Sequence, residues 1–247
     1  MKLLIWKSGP LFNVAGQILL FLMQLNMQRN GLKKLNIRKM KKNYVIIVLM
    51  VTIGRVQAQN PESGMWIAVQ MPVSLSKKLQ WHNDAGYRTL GNYVSASQYL
   101  YRTGLRYLLN NNWSITAGPA FFYTRTTFEK TNKDFGSEFR LWQELNKVLN
   151  LSKNISLQNR FRTEQRWFAS TDQSNSFFRL RFRYRVAATK ALNENWSFQL
   201  ANEYMIQHSE KKSSFDQNRL MCSVLFKINE STQVQSGYMW LKIPKDS

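Results

Sequence analysis

Four arginines stand at every second position, Arg179, Arg181, Arg183 and Arg185, between Phe178, Leu180, Phe182, Tyr184 and Val186. On a helix the four would spread around the axis. On a strand all four point to one face. The same period recurs elsewhere. Trp113, Ile115, Ala117, Pro119, Phe121 and Tyr123 alternate with Ser114, Thr116, Gly118, Ala120, Phe122 and Thr124. Leu220, Cys222, Val224, Phe226 and Ile228 alternate with Arg219, Met221, Ser223, Leu225 and Lys227. Strands rather than helices are the only regular element this pattern supports.

An internal repeat punctuates the strands. Residues 109–115, 151–157 and 192–198 resemble one another, with Asn112, Asn154 and Asn195 in the same place. Residues 75–81 and 228–234 are looser copies. The first residues Leu75, Leu109, Leu151 and Leu192 follow at spacings of 34, 42 and 41. Each copy reads as a tight polar turn entering a new strand, so the repeat is that of a β-meander. Longer polar loops, 89–97, 125–137, 169–176 and 207–216, alternate with these turns. Outer-membrane barrels have that asymmetry, with short periplasmic turns and longer extracellular loops.

The pattern predicts strands near 79–88, 98–109, 113–124, 137–149, 155–168, 176–191, 196–206, 217–228 and 232–241. The expected fold is an all-β, up-and-down antiparallel transmembrane β-barrel of about ten strands. With periplasmic tight turns, strands 79–88 and 232–241 both run outward. Nine strands then imply a tenth, closing strand that the chain lacks, since such barrels have an even strand number. The alternative is that 64–71 supplies the tenth, with the topology reversed; otherwise 64–71 is an extended lead-in.

Charge is unevenly spread over the 247 residues. Lys and Arg number 35 against 14 Asp and Glu, a net +21. Residues 1–58 carry ten of those cations and no acid, leaving +11 for the rest. Met40, Lys41 and Lys42 open a signal peptide, 44–51 is its apolar stretch, and Val56-Gln57-Ala58 is a small-residue cleavage site before Gln59. Residues 1–39 are then an N-terminal extension upstream of the true start, 40–58 the signal peptide and 59–247 the barrel domain. Half of the positive excess therefore lies outside the mature protein, which weakens a nucleic-acid reading. On alternate parity, moreover, arginines and aromatics face opposite ways and form no shared stacking platform.

The order of short motifs carries a resemblance. Trp66 is followed by Gly86-Tyr87-Arg88, then by Glu138, Arg140, Trp142 and Gln143. Next come Asn159, Arg160, Arg162, Glu164, Gln165 and Arg166, and then Arg179, Arg181, Arg183 and Tyr184. The series ends with Asn202-Glu203, Asp216, Asn218-Arg219 and Gly237-Tyr238-Met239-Trp240. Over residues 62–243 this resembles the domain of unknown function family 2490, outer-membrane-type β-barrel proteins common in Bacteroidetes. The resemblance implies a barrel and an outer-membrane location. It carries over no catalytic residue.

Parity places Arg88, Arg102, Arg106, Arg140, Arg160, Arg162, Arg166, Arg179, Arg181, Arg183, Arg185 and Arg219 inside the barrel. Asp84, Glu138, Glu144, Glu164 and Glu203 share that face. Such a ladder packs a narrow lumen with paired charges, arginine being suited to bidentate bonds with carboxylates. Its excess of cations would favour anions in an open lumen. No cofactor or metal site is expected: Cys222 is the single cysteine, and His82 and His208 are the only histidines. For catalysis, His82 beside Asp84, Ser95 and Ser97, or His208 beside Ser209 and Glu210, form no specific motif, and no G-x-S-x-G is present. The expectation is an outer-membrane barrel that is structural or a narrow anion-favouring conduit. A lipid hydrolase or acyltransferase barrel and a small-ligand-binding barrel are the alternatives. Outer-membrane lipid and the barrel-assembly machinery are the expected partners, with no nucleic acid.

Overall fold

The computed structural model describes residues 16–25, 27–28, 64–90, 95–125, 135–170, 175–210 and 212–244. The expected signal peptide 40–58, its expected cleavage site at Ala58 and Gln59, and the tips of the longer loops lie outside the described residues. The strands are β1 (Gly16–Leu25), β2 (Met27–Gln28), β3 (Gly64–Gln70), β4 (Val73–Ser74), β5 (Leu79–Leu90), β6 (Ser95–Leu108) and β7 (Trp113–Arg125). They continue with β8 (Phe135–Asn150), β9 (Ile155–Phe168), β10 (Phe177–Ala191), β11 (Trp196–His208), β12 (Ser213–Asn229) and β13 (Thr232–Lys242).

From β5 to β13 each strand pairs antiparallel with the next. The turn repeat has a direct cause in side-chain chemistry. Asn110 Oδ1 accepts the backbone N–H groups of Asn112 and Trp113, each at 2.9 Å. Asn193 does the same for Asn195 and Trp196, and Ser152 Oγ for Asn154 and Ile155. Ser76 Oγ serves Lys78 and Leu79. A short polar side chain that bonds two and three residues ahead fixes a tight turn, and the register of each hairpin follows from it.

The wall closes into an eleven-strand barrel in which β2 and β4 continue β1 and β3. Two expectations are corrected. The tenth strand is not missing: 64–70 is strand β3, paired antiparallel with β5 through Trp66 opposite Arg88. Nor does β13 keep a free edge. It pairs with β12 on one side and with β1 on the other, Gly16 opposite Leu241 through Leu25 opposite Thr232. Strand β1, from a stretch expected to lie outside the barrel domain, is parallel to β3, Ile18 opposite Gly64. The barrel is thus mixed, with eleven staves rather than about ten and one parallel seam.

Polarity runs opposite to that of a soluble barrel. Leu105, Tyr123, Phe161, Trp167 and Tyr184 are among many large apolar side chains exposed on the outer wall. The interior holds Glu164 and Glu203, each 2 % exposed, with Arg140, Arg162, Arg181 and Arg183 buried around them. Aromatic rings link sideways near the long-loop side: Phe121 to Phe139 at 5.4 Å, Phe139 to Trp167 at 5.7 Å and Trp167 to Phe178 at 5.3 Å. Apolar-out, polar-in strands with an aromatic girdle are the arrangement of membrane barrels.

Candidate functional site

Glu164, in the middle of β9, is the hub of the lumen. Its Oε2 accepts Arg181 Nη2 at 2.5 Å and Nε at 2.9 Å, and Arg140 Nη1 at 3.3 Å. Its Oε1 accepts Arg183 Nη1 at 2.6 Å. Glu203 on β11 is a second hub. It accepts Arg160 at 2.6 Å, Arg183 at 2.8 and 2.9 Å, and Arg219 at 3.4 Å. Glu138 joins Arg140 at 2.6 and 2.7 Å to Arg166 at 2.5 Å. Glu144 holds Arg162 at 2.5 Å and lies 3.6 Å from Arg160. These contacts connect residues on β8, β9, β10, β11 and β12 into one network. Arginine forks and planar carboxylates suit such shared, bidentate bonds.

The register explains why neighbouring strands can trade charges. Arg140, Arg166 and Arg179 stand directly opposite one another on β8, β9 and β10. Like charges in that position repel. Carboxylates one step along the strand, Glu138 and Glu164, take up Arg140 and Arg166. Arg179 instead lies over Phe177, its guanidinium carbon 4.8 Å from the ring. Arg185 donates to Gln158 and Gln199. Neither has a carboxylate partner among the described residues.

Rings pack between the charges. Trp142 is 2 % exposed and faces Gly118 across the β7–β8 pair. A Cβ at Gly118 would run into the Thr103 carbonyl oxygen and the Gly104 Cα. The missing side chains at Gly104 and Gly118 let the strands and the indole approach, and the Trp142 ring meets His82 at 5.7 Å. Trp66 sits between two guanidiniums, Arg88 at 3.7 Å and Arg219 at 4.8 Å. Cation–π contacts of this kind gain strength away from water.

One lumen acid is invisible to parity. Asp216 accepts Arg181 Nη1 at 3.1 Å. It sits at an even position on β12, the outward parity of Asn218 and Leu220. The β11–β12 register jumps there, with Met205 opposite Gln217 and Ile206 opposite Phe215. Asp216 is the extra residue of a β-bulge, and a bulge re-aims its side chain. With it, eight arginines share six carboxylates in the interior.

The candidate catalytic groups are placed apart. His82 is buried in the lumen, 3.6 Å from Asp84 and 3.4 Å from Arg106 Nη2. Asp84 is held by Arg102 at 2.6 Å. Ser95 and Ser97 open β6 at the opposite end of the β5–β6 pair. His208 contacts Ser213 at 2.9 Å rather than Ser209 or Glu210. Among the described residues no carboxylate bonds the other nitrogen of the His208 ring, so nothing there fixes its tautomer as a catalytic base requires. No three His, Cys, Asp or Glu among the described residues are grouped to hold a metal ion.

A profile of the family described as "Protein of unknown function (DUF2490)" matches residues 63–247. No curated protein matches the chain. Among solved structures, LpxR from Salmonella typhimurium is similar over 72 % of this chain and 88 % of that one, with 7 % sequence identity and a TM-score of 0.37.

Proposed function

The chain belongs to the DUF2490 family of proteins of unknown function, and from that premise we propose that it is an outer-membrane β-barrel whose charge-filled interior serves as a structural plug. The carrying observation is the network itself. Arg183 and its neighbours tie five strands together through Glu164 and Glu203, and both carboxylates are buried. An open water path would leave these groups hydrated. The apolar outer wall supports a membrane location, and the signal-like segment at 40–58 supports export through the inner membrane, with the chain left uncut at Ala58 so that β1 stays in the wall between β13 and β3. Outer-membrane lipid and the barrel-assembly machinery are the partners this reading requires.

One observation supports the conduit as a second reading. Arg88, Arg106, Arg179 and Arg185 add to the eight arginines already sharing carboxylates, so any path that opens is positive and favours anions. Planar bilayers separate the two. Purified full-length protein under a salt gradient is expected to give no steady conductance. A stable, anion-selective current from the unaltered protein overturns the plug and supports the conduit.

A further inference from the structure

Two amide pairs face outward on the barrel wall, and they differ in one respect. Asn202 and Asn218 exchange side-chain hydrogen bonds at 3.1 Å in both directions. Each also spends its second N–H on a backbone carbonyl, Asn202 on Arg219 and Asn218 on Glu203. That pair is complete. Gln143 and Gln165 exchange bonds at 3.2 Å in the same reciprocal way, and Thr163 donates to Gln143 Oε1 at 2.6 Å. Here, among the described residues, the second N–H of each glutamine has no acceptor. Gln165 Oε1 and Thr163 Oγ1 each have acceptor capacity left.

The position makes this matter. On β8 the outward side chains run Phe139, Leu141, Gln143, Leu145, Lys147, so Gln143 lies midway between a girdle ring and a lysine. Lys147 Nζ rests over the Trp113 ring at 4.8 Å, toward the tight-turn side. Leu141, Leu145, Phe161 and Phe182 surround the cluster and are exposed. In the membrane, this stretch meets hydrocarbon, where an amide N–H finds no water and its exposure is costly. Other outward amides, Asn83 and Asn159, lie nearer the tight turns.

We propose that a second copy of this chain docks on the β8–β9 outer wall around Gln143, Thr163 and Gln165. This rests on the membrane reading above. The occupant follows from the inventory. Two spare donors and two spare acceptors on one patch are self-complementary, as a two-fold interface demands, where each copy offers the other the same surface. The surrounding leucines and phenylalanines supply the packing, and polar groups hold such membrane interfaces in register.

The test uses full-length protein in phosphatidylcholine vesicles, with association read by energy transfer between differently labelled copies as protein is diluted in lipid. The unaltered protein is expected to dimerise. The double variant Gln143→Leu with Gln165→Leu should associate at least tenfold more weakly, while Asn202→Leu with Asn218→Leu associates as the unaltered protein does. Gln165→Cys in a Cys222→Ser background should form a disulfide-linked dimer on oxidation. Folding is followed separately by the faster migration of unheated barrels in gels. A chain that does not insert into lipid overturns the membrane reading and this inference with it. A chain that inserts but stays monomeric, or dimerises equally without the two glutamines, overturns this inference alone.

Discussion

Arg183 lays its guanidinium between two carboxylates, Glu164 on the preceding strand at 2.6 Å and Glu203 on the following strand at 2.8 Å. One side chain therefore clamps three adjacent strands from the inside. Removing one member of a buried charge cluster leaves its partners charged and unpaired, a loss of about 3–5 kcal/mol. Arg183→Ala should lower stability on that scale, read as a lower urea midpoint for loss of fast gel migration. Arg183→Lys should recover only part of it, because an ammonium cannot serve both carboxylates as a planar fork does. An unchanged midpoint for Arg183→Ala would remove the clamp from the account of stability.

At Gly118 the backbones of β6 and β7 leave no room for a side chain. A side chain there meets the backbone of Thr103 and Gly104, which cannot move without breaking the ladder. Gly118→Val should prevent the barrel from reaching its fast-migrating form. Gly86→Ala should be far milder, since a Cβ there meets only the tip and branch of Leu100. Equal folding yields for the two would contradict the packing described.

Much of this was legible in the alternation. The strand from 155 to 168 was expected with those same limits, and Arg179, Arg181, Arg183 and Arg185 share one face because a strand has period two. What strand parity cannot carry is the partner of each charge, which depends on register between strands. It also fails wherever a residue is inserted. Asp216 has the wrong parity for the lumen and reaches Arg181 only because the bulge turns it inward. Strand β1 was missed for a different reason. Residues 16–25 are almost continuously apolar, and a short run of that kind does not distinguish strand from helix or leader. His208 and Ser213 were not paired because only hairpin register brings them together.

The bulge gives its own test. Asp216→Asn keeps the extra residue and removes the charge. Arg181 retains Glu164, so the loss should stay at about 1.5–3 kcal/mol, that of one hydrogen bond to a charged partner. Deleting Asp216 instead removes the bulge and keeps the pairs on either side of it, Met205 opposite Gln217 and Ile206 opposite Phe215, as neighbours in a regular ladder. Phe215 then keeps its place 5.3 Å from Tyr204 on the outer wall. The deletion should therefore cost about as much as Asp216→Asn in the same urea assay. A clearly larger cost for the deletion would show that the bulge itself, not the carboxylate, is what the residue contributes.

Loosening the hubs should reveal the sign of the lumen. Glu164 and Glu203 accept bonds from five arginines between them, Arg140, Arg181, Arg183, Arg160 and Arg219, and Arg162 Nη1 lies 3.9 Å from Glu164. Glu164→Gln with Glu203→Gln preserves volume while removing both charges. The guanidiniums then lose the partners that hold them across the interior, and their mutual repulsion favours hydration. A narrow tube lined by one sign of charge concentrates the opposite ion and excludes its own. The variant should show flickering current in planar bilayers where the unaltered protein is silent, with a reversal potential of the anion-selective sign under a salt gradient. Arg181→Glu with Arg183→Glu should move any current toward cations. Current that ignores these charges would mean that ions pass by some route other than the lumen.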